Sequence, residues 1–133
     1  MDLKQEFQKG IMIKFKIKYK SVQTIRQQFF FLPEEIDQII FLNTFRLINN
    51  KISNRIRINL SEVIWLYCGY ISKGILSGKA LTELQNDLTD LINEEMVMIG
   101  VRESIDSIEI SLWNNEGKSF NFFIQNPISK KKN

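Results

Sequence analysis

Ile13-Lys14-Phe15-Lys16-Ile17-Lys18-Tyr19-Lys20 alternates an apolar residue with a lysine over eight consecutive positions. A period of two belongs to a β-strand, in which successive side chains point to opposite faces. Ile13, Phe15, Ile17 and Tyr19 then share a buried face, and the four ammonium groups share a wet one. A chain containing such a strand builds a sheet with a single buried side and needs other elements to cover it.

The remaining segments supply those elements. Phe29-Phe30-Phe31-Leu32, stopped by Pro33, suits a second strand, and Pro33-Glu34-Glu35 suits one helical turn. Asn49-Asn50-Lys51 between the apolar runs Thr44–Ile48 and Ile52–Ile58 predicts a hairpin. By the same alternation Arg46, Arg55 and Arg57 would face outward. Asn59, with Glu62 three residues later, forms a capping-box pattern at the start of a helix running to about Leu76, with Gly78 as its stop. That helix is apolar nearly all round, which marks it as the central element. Its Trp65 lies off the main stripe and is expected under the second helix, or else under a partner or a second copy.

This second helix is predicted from about Ala80 to Asn93, with Leu81, Leu84, Leu88 and Leu91 as its buried stripe. Three closing strands follow at Met96–Val101, Ser107–Trp113 and Ser119–Gln125, the last two joined by the turn Asn114-Asn115-Glu116-Gly117-Lys118. The layout predicts an α+β fold, an antiparallel sheet of about five to seven strands with two helices packed on one face. Residues 1–126 read as a single α+β domain, and 127–133 as a flexible basic tail.

Composition narrows the function. There is no histidine, which removes the commonest general base and metal ligand. The single cysteine, Cys68, excludes an internal disulfide, suits a reducing cytoplasm, and sits in apolar sequence offering no base to activate it. The glycines never take a phosphate-cradling spacing. No catalytic residue, metal site or cofactor is expected, so the chain reads as a non-enzyme. The apolar run Val63–Ile71 is far shorter than the roughly 20 residues a membrane span needs. A cytoplasmic location without membrane attachment follows as the expectation.

Charge is divided along the chain. Residues 1–60 hold eleven Lys/Arg against five Asp/Glu, whereas residues 61–129 hold four against ten. Such a division creates two surfaces of opposite potential. On the second helix Glu83, Asp87, Asp90 and Glu94 step by four, three and four, which lines them along one face. The face is either simply solvated or a contact for a basic partner. An alternative anion-binding surface combines Lys14, Lys16, Lys18, Lys20, Arg55 and Arg57, with Trp113 and Phe123 beside it for stacking on bases. Lysines on an edge strand also serve to discourage sheet-to-sheet association.

The lysine strand, the hairpin, the apolar helix opening Leu60-Ser61-Glu62-Val63-Ile64-Trp65 and the closing strand Ile108-Glu109-Ile110-Ser111-Leu112-Trp113 resemble small bacterial immunity proteins of polymorphic or contact-dependent toxin systems. The resemblance implies a non-enzymatic protein, monomeric or homodimeric, that occludes the active site of a cognate toxin, a nuclease among the options. Glu83, Asp87, Asp90 and Glu94 would form its contact surface. The alternative is a nucleic-acid-binding module using the lysine strand.

Overall fold

The computed structural model describes residues 3–21, 23–31 and 39–130. The elements run α1 (Leu3–Glu6), β1 (Ile11–Tyr19), β2 (Thr24–Phe31), α2 (Ile39–Ser53), α3 (Leu60–Leu76), α4 (Leu81–Thr89), β3 (Ile92–Asn93), α5 (Val101–Ser104), β4 (Ile105–Trp113), β5 (Ser119–Gln125) and β6 (Ile128–Ser129). The α+β architecture read from the sequence is the one observed. Four strands form an antiparallel sheet in the order β2-β1-β4-β5, and β3 and β6 form a separate parallel pair.

The lysine strand sits at the centre of this sheet. Its register places Ile13 beside Leu112, Phe15 beside Ile110 and Ile17 beside Ile108, and β5 continues these rungs with Phe120, Phe122 and Ile124. All nine side chains are buried, with Ile13, Ile17, Ile108, Ile110 and Leu112 at 0% exposure. The central helix α3 closes the same core with Val63, Ile64, Tyr67, Ile71 and Ile75. An alternating strand becomes this regular only when a covered neighbour on each side rewards every second residue.

Helix α3 begins where the capping box places it. The Asn59 side chain accepts a hydrogen bond from the Glu62 amide at 2.9 Å, and the Glu62 carboxylate accepts one from the Asn59 amide at 3.1 Å. The other Glu62 oxygen receives the Lys51 ammonium at 2.7 Å, which ties α2 to the start of α3. Desolvation works against the Glu62 carboxylate, but Lys51 and the Asn59 amide outweigh it and hold its pKa below the ordinary 4.5. A depressed folded-state pKa contributes stability above the unfolded value and loses it as pH falls through the folded one. The melting temperature of Glu62→Gln should therefore lie below that of wild type at pH 6. The gap should close as the pH is taken from about 5 down through 3, in a thermal-melt series.

Tyr67 ends in the core with its hydroxyl buried and without a hydrogen-bond partner among the described residues. Burial accordingly pushes its pKa up. An unsatisfied buried hydroxyl opposes folding, and removing it while keeping the ring relieves that penalty. Tyr67→Phe should raise stability by about 1 kcal/mol, seen as a higher denaturant midpoint with an unchanged slope.

Several expectations are corrected. The hairpin expected over Thr44–Ile58 is instead helix α2 followed by an irregular loop. Phe45, Ile48 and Ile52 pack inward at helical spacing, and Asn49 and Asn54 satisfy their amides on the carbonyls of Phe45 and Asn50, one turn earlier. Asparagine that can bond its own helix does not force a turn when the flanking apolar residues are held. Arg46 is thus exposed on a helix, and Arg55 adopts a left-handed conformation at φ 60°. The second helix stops at Thr89 rather than Asn93, because Ile92 leaves it to pair with Ile128. Met96–Val101 is no strand: Val97 makes one isolated bridge to Ile58, and Gly100 at φ 94° turns the chain into α5. The tail expected to be loose from residue 127 contains buried Pro127 and Ile128, with Ile128–Ser129 forming β6. Trp65 is covered by Phe29 and Phe31 of β2, with ring centroids 5.2 and 6.4 Å away, not by the second helix. The turn expected at Pro33-Glu34-Glu35 lies outside the described residues.

Candidate functional site

Three surfaces carry the chemistry this chain can offer. The first is the outer face of the sheet. Lys14, Lys16 and Lys18 project from β1, and Arg26 of β2 stands opposite Lys16. Lys14 lies over the Trp113 ring at 4.7 Å, an arrangement that holds the ammonium in place without neutralising it. Glu109 stands beside Lys16 in register, but at 3.9 Å between exposed groups the pair contributes little. Phe123 and Phe30 share this face and are about half exposed. A shallow depression runs between Lys14, Lys16, Arg26, Gln28, Glu109 and Ser111.

The anion-binding set read from the sequence is thus only partly assembled. Lys14, Lys16 and Lys18 come together, Lys20 is exposed just beyond the strand end, and Arg55 and Arg57 lie elsewhere. Strand alternation would bring them to this face, but the segment holding them is a helix end and a loop. Arg26 was missed, since nothing in Thr24–Phe31 shows which way its residues point until the pairing with β1 is known.

The second surface is acidic. Glu83 is exposed on α4, Asp87 bonds Lys79, Asp90 follows the helix end, and Glu94 lies beyond β3, 3.9 Å from Arg102. The side-chain hydrogen bond from Lys79 to Asp87 holds the lysine pKa above its ordinary value. So the four carboxylates do not form one helical face, and two of them have cationic neighbours that the one-dimensional spacing concealed.

The third surface is apolar and was not foreseen. The loop at Arg55–Ile58 and the turn at Met96–Gly100 are joined by backbone bonds from Ile58 N–H to the Met96 carbonyl and from Met98 N–H to the Ile58 carbonyl, both 2.9 Å. The Arg57 guanidinium reaches the Val97 carbonyl at 3.4 Å. At this tip Ile99 is 92% exposed, Ile56 52% and Met98 49%. Two adjoining depressions share Arg57 and Glu95, one bordered by Ile56, the other by Met98 and Ile99. The run Val97-Met98-Ile99 was visible in the sequence, but an apolar run next to glycine reads equally well as a buried strand.

The single cysteine is not a poised nucleophile. Cys68 is fully buried, and desolvation pushes its pKa up, the reverse of an activated thiol. Among the described residues no three Cys, Asp or Glu side chains gather as a metal would require, and no helix is long and apolar enough to cross a membrane.

Comparison with known proteins identifies the lineage. Residues 29–128 match the family described as urease, gamma subunit. Urease subunit gamma of Prochlorococcus marinus strain AS9601 is 25% identical over 97 residues, covering 73% of this chain and 96% of that protein. The corresponding subunits of strain MIT 9301 and of subspecies pastoris strain CCMP1986 are 24% and 22% identical over the same length and coverage. This match overturns the expectation of an immunity protein and of a cognate toxin as partner, and it lends the nucleic-acid alternative no support. The layout that suggested a toxin antagonist is shared by many small α+β domains, and a fold does not carry a function. The matched segment runs from β2 to β6 and includes α3 and the apolar tip, so this chain belongs to the urease gamma subunit family.

Proposed function

We propose that this chain is a non-catalytic subunit of a cytoplasmic urease, contributing a docking surface and no reacting group. The observation that carries the reading is the tip formed by Ile56, Met98 and Ile99. Large apolar side chains held in the open by a hydrogen-bonded loop pair contribute little to folding, and exposed apolar residues grouped on adjoining depressions mark contact sites. Arg55, Arg57 and Glu95 rim the patch with charge of both signs, as at interfaces whose apolar centre is ringed by polar groups. The tip lies wholly within the segment shared with urease gamma subunits, and its occupant is another subunit of the same enzyme. Glu83, Asp87, Asp90 and Glu94, with the lysines of β1, are charged surfaces that would orient such an encounter.

Co-expression of the chain with the other subunits of a urease tests this. Wild type should co-elute with them on size exclusion. The double variant Met98→Asp, Ile99→Asp should weaken assembly at least about 30-fold, because a buried anchor is replaced by a charge. Its melting temperature should stay within about 2 °C of wild type, since exposed residues contribute little to folding. A chain that stays monomeric beside fully assembled, fully active partners would end the proposal.

A further inference from the structure

The family match begins at Phe29. A match of only 97 residues takes up 96% of the strain AS9601 subunit, so that relative has almost nothing left to set against residues 1–28. In this chain those residues are not an appendage. They form α1, all of β1 and the first five residues of β2. Leu3, Phe7, Ile11, Ile13, Phe15 and Ile17 are each 2% exposed or less. The Phe7 ring meets Phe120 edge-on at 5.8 Å, and Glu6 accepts hydrogen bonds from Asn114 at 3.3 Å and Lys118 at 3.1 Å. The segment therefore clamps the β4–β5 turn as well as lining the core.

Topology shows what it covers. β1 lies between β2 and β4, and its pairing with β4 extends from Met12–Trp113 to Tyr19–Ile105. Without it, β4 would keep only β5 as a neighbour. One whole edge of unpaired amides and carbonyls would open beside Ile108, Ile110 and Leu112, a ready template for another strand.

We infer that the β4 edge is a strand-acceptor site, and that this chain fills it with its own residues 11–19. The occupant is recognised in two ways: backbone hydrogen bonds accept any extended segment, and the inner face selects one with apolar residues at alternate positions. Ile13, Phe15 and Ile17 supply that selection. Lys14, Lys16 and Lys18 face away from it. An edge closed from within is not available to a strand from a neighbouring subunit, so assembly of this chain proceeds through other surfaces. The inference rests on the fold and the limits of the family match, and it stands whether or not the apolar tip is the docking site.

The test uses the full-length chain carrying a specific protease site at residues 20–23, between β1 and β2, cut after folding. The two pieces should co-elute. A labelled synthetic peptide of residues 3–20, in excess, should then exchange into the site. A peptide carrying Phe15→Asp and Ile17→Asp should bind at least about 100-fold more weakly, because two carboxylates would enter the core. A peptide with Lys14, Lys16 and Lys18 changed to Gln should bind within about 3-fold of the parent, since those side chains face solvent. Release of the N-terminal piece on cutting, with the remainder monomeric and its melting transition unchanged, would overturn the inference. So would equal exchange by the Asp-substituted peptide. Neither readout involves the other urease subunits, so a failure here is distinct from a failure of the docking proposal.

Discussion

Replacing Phe15 by alanine is expected to lower stability by roughly 3–5 kcal/mol, the range for truncating a buried aromatic ring. Phe15 is 1% exposed, sits in register between Gln27 and Ile110, and meets Phe29 edge-on at 6.1 Å. Truncation would leave a cavity under the centre of the sheet, where β2 and β4 on either side limit collapse. For a chain of this size the loss corresponds to a melting temperature lower by roughly 10–20 °C. The adjacent substitution Lys16→Ala should change stability by no more than about 0.5 kcal/mol, its ammonium being exposed and weakly paired with Glu109. Equal effects at positions 15 and 16 in chemical denaturation would contradict the assignment of the two faces.

Gly69→Ala is the second large effect expected, and the sign is not the usual one. Alanine in a helix normally gains up to about 1 kcal/mol over glycine. Here a Cβ on Gly69 would lie 2.0 Å from Phe45 Cδ2, 2.4 Å from Cγ and 2.8 Å from Cβ. The clash reaches the base of the phenylalanine side chain, so rotating the ring does not relieve it, and Tyr70 holds that ring edge-on at 5.0 Å. Helices α2 and α3 would have to separate, at a net loss of roughly 2–4 kcal/mol. The double variant Gly69→Ala, Phe45→Ala should be no less stable than Gly69→Ala alone, because the second change removes the two closest clashing atoms, Cδ2 and Cγ, and leaves only the Cβ contact at 2.8 Å. A Gly69→Ala protein that melts at or above wild type would show that the two helices do not meet there.

The parts of this fold that could be read in advance are those in which one local rule acts without competition. Strands β1, β4 and β5 alternate cleanly because one face of the sheet is wet, and β5 was bounded at Ser119–Gln125, as observed. The limits of α3 follow from Asn59, Glu62 and Gly78, each with a fixed backbone role. Helix α2 was hidden because its β-branched and asparagine content favours strand and turn. Its helical state comes from packing Phe45 against Gly69 and Ile48 into the core, a contact between segments that no local rule contains. Less of the site was legible. The lysine face could be drawn, but its partner Arg26 belongs to a neighbouring strand, and the arginines assigned to it belong to a loop. Exposure of Met98 and Ile99 depends on where Gly100 turns the chain, so an apolar run that belongs outside looked like one that belongs inside. Family membership was invisible to pattern reading for a related reason. At about a quarter identity, relatedness is spread over many positions, none of which has a chemistry of its own.

The position of β1 also sets an order of events during synthesis. Met12 pairs with Trp113, so the first strand made has to wait for most of the chain before its partner exists. At about 5–20 residues per second the wait is roughly 5–20 s, long compared with the microseconds in which a hairpin closes. Through that interval Ile11, Ile13, Phe15 and Ile17 have at most β2 for company, in a crowded setting where unpaired apolar strands find one another. Every second residue from 14 to 20 is a lysine, and nascent chains on neighbouring ribosomes would have to bring like charges together in order to pair these strands. The lysines that face outward on the finished sheet keep the unfinished one alone until β4 arrives.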